Sequence, residues 1–169
     1  MTEPPAIVLA GFDGSRMKAM ADLWVDAWQA TLPEIDFEAR RGWLCRRIGS
    51  LVAEGAAIDL AWARGPDGAP QALLGFVSVD PQTGYVDQLV VHPAHWGAGV
   101  ARRLVAAAAA RSARPLVLDV NQQNTRAVRF YQKAGFAVTG HGVNPTSGRP
   151  TLRMERGDAS AAGRDWPAD

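Results

Sequence analysis

The apolar positions in the first third of the chain recur at the three- and four-residue spacing of an amphipathic helix. One such set predicts a helix that is capped by Asp13 or Ser15 and ends before Pro33, and its apolar residues are Met17, Met20, Ala21, Trp24, Ala27 and Trp28. A second set predicts a helix over residues 36–54. A short apolar run at residues 6–10 precedes both helices and indicates a first strand.

The middle of the chain changes from helical to strand-like periodicity. Three apolar runs, at residues 57–64, 72–80 and 84–91, are separated by the turn-rich segments "GPDGAP" and "PQTG". Because short Gly/Pro turns join neighbouring antiparallel strands, these runs predict a meander. The remainder predicts a helix, a buried strand, a short helix and a two-stranded hairpin, at residues 100–113, 116–120, 124–135, 136–143 and 149–155. We therefore predict an α/β (α+β) fold with a mixed, mostly antiparallel central sheet of about six to seven strands and about four flanking helices.

The length and apolar content indicate one globular domain. The chain has 169 residues, of which 47% are hydrophobic, and this is sufficient for a substantial core. We expect the domain to span residues 1–156 and to be followed by a flexible tail at residues 157–169, because that stretch is small, polar and interrupted by proline. The expected oligomeric state is a monomer or a homodimer.

Charge and cysteine content exclude several classes of function. The net charge is +1 and no block of like charges indicates a nucleic-acid partner. Cys45 is the single cysteine, so no internal disulfide is expected, and no His/Cys/Asp cluster has the spacing of a metal site.

No run approaches the roughly 18 apolar residues of a membrane span, and the N-terminal segment lacks the pattern of a signal peptide. We expect a cytoplasmic protein with no membrane partner.

The segment "VVHPAHWGAGVARRLV" places Gly97 and Gly99 between a strand and the start of a helix. Unpaired backbone N–H groups at a helix start attract anions, and glycines let a ligand approach the backbone closely. A phosphate-binding turn is therefore predicted, with a plain strand–helix turn as the alternative. The dinucleotide pattern GxGxxG is not met because Arg102 occupies the third position, and GxxxxGK(S/T) is absent. The antiparallel meander also disfavours a Rossmann-like nucleotide binder.

The segment "NQQNTRAVRFYQKAGF" forms a second constellation. If it is helical, Asn124, Ala127, Tyr131 and Ala134 share one face. That face carries an amide near the helix start and a phenol one turn before the helix end. Core filling is the alternative for Tyr131 alone, whereas its alignment with Asn124 favours a ligand site.

The two segments together resemble the paired signatures of the GCN5-related N-acetyltransferase (GNAT) family, over about residues 72–141. The first resembles the acetyl-CoA motif Gln/Arg-x-x-Gly-x-Gly/Ala, and the second resembles the signature in which Asn, Tyr and Gly-Phe recur. The pattern is closest to small, single-domain bacterial members. Trp96 departs from the motif because it stands in place of Gln or Arg, while Gly97, Gly99 and Ala101 conform to it. Either a side-chain contact to the pyrophosphate is lost, or the indole covers the ligand with apolar surface.

The resemblance implies acetyl-CoA as the cosubstrate. Backbone groups of Leu89 and Val91 would pair with its pantetheine arm, residues 96–102 would hold its pyrophosphate, and Asn124 would hydrogen-bond to the arm. The implied cofactor-binding residues are Leu89, Val90, Val91, Trp96, Gly97, Ala98, Gly99, Val100, Ala101, Arg102, Asn124, Ala127, Phe130, Tyr131 and Lys133.

The resemblance also implies two catalytic residues. Tyr131 would be the general acid that protonates the departing thiolate, and Asp87 would draw the proton from the amine through a water molecule. Strand alternation predicts that Asp87 lies on the same face as Tyr85, Leu89 and Val91. Asp87 has an alternative role as an anchor for a cationic acceptor.

The acceptor site would be walled by the first two helices and the loop between them. Its candidate residues are Trp28, Leu32, Glu34, Asp36 and His141. An apolar wall with a few carboxylates is suited to a small primary amine that bears an apolar group. The alternatives are a protein or peptide amine as the acceptor, and a catalytically silent acyl-CoA-binding module. The silent module is disfavoured by Tyr131 and Asp87, since both stand where chemistry would use them.

Overall fold

The computed structural model describes residues 5–157, so residues 158–169 of the expected tail lie outside the described part. The described residues form four helices: α1 Met17–Thr31, α2 Arg41–Ala53, α3 Val100–Arg111 and α4 Thr125–Lys133. Seven strands accompany them: β1 Ile7–Gly11, β2 Ala57–Arg64, β3 Pro70–Val79, β4 Val86–Val91, β5 Val117–Asn121, β6 Phe136–Val143 and β7 Pro150–Arg156. The predicted mixed fold with four helices and a largely antiparallel set of strands is confirmed.

Local capping explains where the first two helices begin. The Asp13 side chain accepts a hydrogen bond from the backbone N–H of Ser15 at 2.9 Å, and a 3-10 turn leads from there into α1. Asp36 accepts from the backbone N–H of Ala39 at 3.1 Å before α2. Gly55 follows α2 with φ +91°, the left-handed conformation that commonly ends helices.

The strands fall into two antiparallel sheets rather than one. The first sheet has the order β1-β2-β3-β4 and the second the order β5-β7-β6. The sheets meet where β4 approaches β5, and a single parallel bridge between Tyr85 and Val117 joins them. Because β4 and β5 are not otherwise paired, the edge of β4 beyond this bridge is open toward β5.

Two apolar clusters pack on opposite faces of the first sheet. The α3–α4 side contains Leu74, Val77, Leu104, Tyr131, Phe136 and Met154 among its buried residues. The α1–α2 side contains Met20, Trp24, Leu44, Ile48, Phe76 and Val90. Within residues 5–157, no helix combines the length and apolar character that a membrane crossing requires.

β4 contains a bulge at Asp87. Ser78 of β3 lies opposite Gln88, whereas Val79 lies opposite Val86, so Asp87 is an additional residue on the β4 strand. The backbone N–H of Gln88 donates to the Ser78 hydroxyl at 3.0 Å, which replaces a regular ladder bond.

The bulge reverses the alternation of side chains along β4. Val86, Leu89 and Val91 all pack on the α3–α4 side, while the Asp87 carboxylate contacts Arg47 of α2 on the opposite side. The prediction that Asp87 shares a face with Leu89 and Val91 is therefore wrong, because strict alternation does not continue through a bulge.

Candidate active site

The open edge of β4 presents backbone groups toward the gap between the two sheets. His92 donates its backbone N–H to the Leu74 carbonyl at 2.8 Å, so in this register Val90 also bonds to β3. The backbone N–H and C=O groups of Leu89 and Val91 consequently point away from β3. Val90 was included among the predicted cofactor-binding residues, but its backbone is committed to Phe76.

The two-glycine turn that joins β4 to α3 has the geometry of an anion site. Gly97 and Gly99 have φ of +80° and +81°, which residues with a Cβ atom rarely adopt. The space beside each glycine is open. The backbone N–H groups of Gly97, Gly99, Val100 and Ala101 have no protein acceptor in the described part of the chain. They lie at the positive end of the α3 dipole, where a phosphate group would be stabilised.

Trp96 folds back from this turn onto β4. Its indole N–H donates to the Val91 carbonyl at 2.9 Å. The guanidinium carbon of Arg126 lies 3.2 Å from the centroid of the indole ring. Arg126 was not predicted as a site residue, although its position two residues after Asn124 in the second signature was a signal that could have found it.

Asn124 begins α4 as its N-cap residue. Its side-chain oxygen accepts from the backbone N–H of Ala127 at 3.2 Å, which leaves the amide NH2 group as the part available to a ligand. Phe130 is partly buried on the same helix, whereas Lys133 is exposed. The predicted face of α4 is thus present, but half of the Asn124 amide is used to cap the helix.

Tyr131 is buried in the core on the α3–α4 side. The residue is 8% exposed, and its ring meets those of Phe130 and Phe136 edge-on at centroid distances of 5.4 Å. Its hydroxyl has no hydrogen-bond partner among residues 5–157. Burial raises the pKa of Tyr131 well above its ordinary value, so the phenol carries its proton across the physiological range.

Asp87 is held by an ion pair that the sequence did not predict. Arg47 Nη2 donates to one carboxylate oxygen, and Arg47 Nε donates to the other at 3.2 Å. Gln88 Nε2 also donates to that second oxygen at 3.1 Å. The Asp87 side chain is 14% exposed, and the carboxylate raises the pKa of the Arg47 guanidinium above its ordinary value. Both carboxylate oxygens are therefore already engaged by protein donors.

A second carboxylate, that of Asp119 on β5, is also engaged by protein donors. Asp119 accepts from the Tyr85 hydroxyl at 2.9 Å, and from Arg153 Nε and Nη2 at 3.1 and 2.9 Å. Arg153 is the main cause that lowers the pKa of Asp119 below its ordinary value. Together these three side chains link the residue that precedes β4 to β5 and β7.

The predicted acceptor residues do not all meet. Trp28 stacks on Phe37 with ring centroids 5.9 Å apart, and it lines a cavity of about 270 Å³ together with Leu32. This cavity lies between the end of α1, the start of α4 and the β6–β7 connection, which contributes Arg149. Trp96 and Arg126 line it as well.

The three polar acceptor candidates lie outside the lining of that cavity. Glu34 accepts from Arg149 Nη2 at 3.1 Å, and Asp36 is used before α2 as described above. His141 is exposed on β6, opposite Leu152. Across residues 5–157 there is no cluster of three His, Cys, Asp or Glu side chains that could hold a metal ion.

Comparison with known proteins bears on this site. The model of the acetyltransferase (GNAT) family matches residues 17–136. Among curated proteins, the peptidyl-lysine N-acetyltransferase YjaB of Escherichia coli is 40% identical over 77 residues, which are 46% of this chain and 50% of that protein. The YjaB of Salmonella typhimurium is 41% identical over 66 residues. The match thus spans about half the length of these curated relatives.

Solved structures extend the likeness over most of the chain. The apo-form solution structure of YjaB from Escherichia coli has a TM-score of 0.68 at 27% identity, and the match covers 89% of this chain and 97% of that one. The PaiA N-acetyltransferase of Thermoplasma acidophilum, solved in complex with coenzyme A, has a TM-score of 0.67 at 16% identity over 89% and 98% of the two chains. The second likeness concerns the fold alone.

Proposed function

The chain belongs to the acetyltransferase (GNAT) family, and from this premise we propose that it transfers the acetyl group of acetyl-CoA to an amine. The observation that carries the proposal is the continuity between the open edge of β4 and the two-glycine turn. An extended ligand with amide groups at one end and phosphates at the other matches both parts in order. Acetyl-CoA supplies the activated thioester.

The chain's own groups would bind this ligand mainly through the backbone. The free N–H groups at Gly97, Gly99 and Val100 are suited to the pyrophosphate. Leu89 and Val91 offer backbone groups to the amides of the pantetheine arm, and the NH2 group of Asn124 is a further donor. The Val91 carbonyl already accepts from the indole N–H of Trp96, and its second lone pair is left for the pantetheine arm.

We propose Tyr131 as the general acid. Attack of the amine on the thioester carbonyl forms a C–N bond, and collapse of the tetrahedral intermediate breaks the C–S bond and releases a thiolate. The phenol donates its proton to that sulfur. A buried phenol with a raised pKa is protonated at neutral pH, and its hydroxyl has no competing acceptor in residues 5–157. Both properties support this role.

We propose that Asp87 anchors the acceptor ammonium group rather than acting as the base. Arg47 and Gln88 fill three of the roughly four acceptor positions of this carboxylate, and the position that remains can accept a hydrogen bond from an ammonium group. A base would in addition have to take up a proton, which would leave the Arg47 charge without its carboxylate partner. The proton of the amine would then leave to solvent water.

A small-molecule amine is the first candidate for the acceptor. The ion pair between Glu34 and Arg149 joins the α1–α2 connection to the β6–β7 connection beside the cavity. An ion pair that bridges these two connections narrows access to the cavity from this side, which favours a small molecule over a lysine on a protein surface. Peptidyl lysine is the second candidate, because the curated relative YjaB carries the name of a peptidyl-lysine N-acetyltransferase.

Thermal unfolding with and without acetyl-CoA tests the proposal directly. A ligand at about 100 times its Kd stabilises a protein by about 2.7 kcal/mol, which corresponds to a Tm increase of roughly 5–10 °C for a chain of this length. Gly99→Glu should abolish the increase, since it places a carboxylate at the anion site. Gly68→Glu is the matched control, because Gly68 has the same φ of +81° and equally open surroundings in the β2–β3 turn.

The outcome of that measurement decides the next step. No increase in wild-type Tm at high acetyl-CoA concentration would contradict the proposed function. If the increase occurs, release of CoA thiol is followed with a panel of small amines and with lysine peptides. Turnover with the peptides and with none of the small amines would replace the first acceptor candidate by the second.

A further inference from the structure

Arg126 and Trp96 form a fixed unit at the wall of the 270 Å³ cavity. The indole is anchored by its hydrogen bond to the Val91 carbonyl, and the guanidinium carbon of Arg126 lies 3.2 Å from the ring centroid. A guanidinium at this distance from an indole face is held by the ring's negative charge density. The ring thus fixes a positive charge that a free arginine side chain would keep in solvent.

The arginines around this cleft differ in how their charge is balanced. Arg47, Arg149 and Arg153 each pair with a carboxylate, those of Asp87, Glu34 and Asp119 respectively. Arg126 has no such ion pair within the described residues, and the cavity that it lines includes no Asp or Glu of that part of the chain.

Packing around the Arg126 guanidinium removes part of its hydration. Although the residue as a whole is exposed, desolvation lowers the pKa of Arg126 below its ordinary value. A positive charge that has lost solvation and has no acidic partner gains from an anion more than a solvated one does.

We propose that Arg126, held on the Trp96 ring, binds an anionic group of a ligand in this cavity. Two sources share this chemistry: a phosphate of CoA, or a carboxylate or phosphate on the acceptor amine. Trp96 stands where the resemblance led us to expect Gln or Arg, and Arg126 brings a cation onto the ring of this substituted residue. The identity of the ligand rests on the proposed function, whereas the presence of an anion site does not.

Binding measured by calorimetry separates the two sources. The variant is Arg126→Gln, and its matched control is Arg129→Gln, an exposed arginine one turn of α4 away. The probes are acetyl-CoA, acetyl-pantetheine, which lacks all phosphates, and inorganic pyrophosphate. If Arg126 contacts a phosphate of CoA, Arg126→Gln raises the Kd for acetyl-CoA roughly tenfold or more and leaves that for acetyl-pantetheine unchanged. Arg129→Gln changes neither.

A variant at Trp96 tests whether the ring positions the guanidinium. In a Trp96→Leu background, the further change in the Kd for acetyl-CoA caused by Arg126→Gln should shrink to about twofold or less. An effect of Arg126→Gln that is undiminished in this background would overturn the positioning role of the ring.

The second arm uses acceptors. If the anion belongs to the acceptor, Arg126→Gln leaves the Kd for acetyl-CoA unchanged and lowers kcat/KM for amines that carry a carboxylate or a phosphate, but not for the same carboxylate-bearing amines as primary amides. If neither arm responds to Arg126→Gln while wild type binds acetyl-CoA, the inference fails and the proposed function stands. If wild type does not bind acetyl-CoA, the proposed function fails, and the Kd for pyrophosphate in wild type and Arg126→Gln still decides the anion site.

Discussion

At the scale of single residues, Tyr131 combines a buried ring with a hydroxyl that bonds to nothing in the described chain. Tyr131→Phe keeps the ring packing and removes only the acid. We expect kcat to fall by about 10²- to 10⁴-fold, with a change in the free energy of unfolding below about 1 kcal/mol, since no hydrogen bond is lost. Steady-state kinetics and chemical denaturation of both proteins measure the two quantities.

The Tm increase with acetyl-CoA serves as the control for that variant, because it should persist in Tyr131→Phe. The raised pKa of Tyr131 adds a second expectation. The acid form persists to alkaline pH, so any loss of wild-type activity between pH 7 and 9 has to come from another group. A kcat for Tyr131→Phe within threefold of wild type would contradict the general-acid role.

The pair of Arg47 and Asp87 permits a similar separation of roles. If Asp87 anchors the acceptor ammonium group, Asp87→Asn should raise KM for the acceptor by roughly tenfold or more, as expected for loss of a charge-assisted contact, with kcat changed much less. Kinetics with a saturating concentration of acetyl-CoA provide this comparison. The reverse pattern, a large fall in kcat at unchanged KM, would return Asp87 to the role of base.

At the scale of elements, the turn before α3 depends on backbone conformation rather than on space. A Cβ atom at Gly99 would meet no neighbour, but φ there is +81°. We expect Gly99→Ala to destabilise the fold by about 1–2 kcal/mol through the left-handed conformation alone. Gly49→Ala is the matched control, because Gly49 lies within α2 and also has open surroundings. It should stabilise by about 0.4–1 kcal/mol, and equal effects of the two substitutions in urea unfolding would contradict the argument.

The order and type of the elements follow from local signals in the sequence. Apolar spacing, Asp13 and Gly55 specify where α1 begins and α2 ends within a few residues, because caps act on adjacent backbone groups. The bulge at Asp87 had no such signal. The bulge arises from how β4 pairs with β3. The alternation of apolar and polar residues within β4 carries no information about pairing partners that lie about ten residues away in the chain.

The side-chain contacts that define the candidate site could not be predicted from the sequence for the same reason. Arg47 and Asp87 are 40 residues apart, and Trp96 and Arg126 come from different helix-bearing segments. Residue type and position in a motif predicted Gly97, Gly99, Asn124 and Tyr131, whose proposed roles depend on their own turn or helix. The ion-pair partner of a long side chain such as arginine depends on how the helices and strands pack, which the local sequence does not specify.

At the scale of the whole molecule, the two sheets depend on few links. Within residues 5–157, one parallel bridge joins Tyr85, the residue before β4, to Val117 of β5, and the hydrogen bonds that Asp119 accepts from Tyr85 and Arg153 reinforce it. The gap beyond this bridge is where the open edge of β4 faces its proposed ligand. The gap between the sheets is therefore needed for the proposed binding, and it also leaves few contacts to hold the two sheets together. The order of the elements along the sequence did not predict this gap.

The hydrogen bonds that Asp119 accepts from Arg153 and Tyr85 lead to a prediction about stability at acidic pH. The hydrogen-bonded ion pair with Arg153 is the main reason why the folded-state pKa of Asp119 lies below the 3.8 of an unperturbed Asp. The unfolded chain therefore takes up the proton first, so the stabilisation by Asp119 is present above about pH 4 and is lost as the pH falls through the folded-state pKa. In urea unfolding, the difference in stability between wild type and Asp119→Asn should be largest at pH 5–7 and shrink below pH 4. Tyr85→Phe keeps the ion pair between Arg153 and Asp119, so this variant should retain most of the wild-type pH dependence. If the stability difference between wild type and Asp119→Asn is constant from pH 7 to pH 3, the ion pair is not its source.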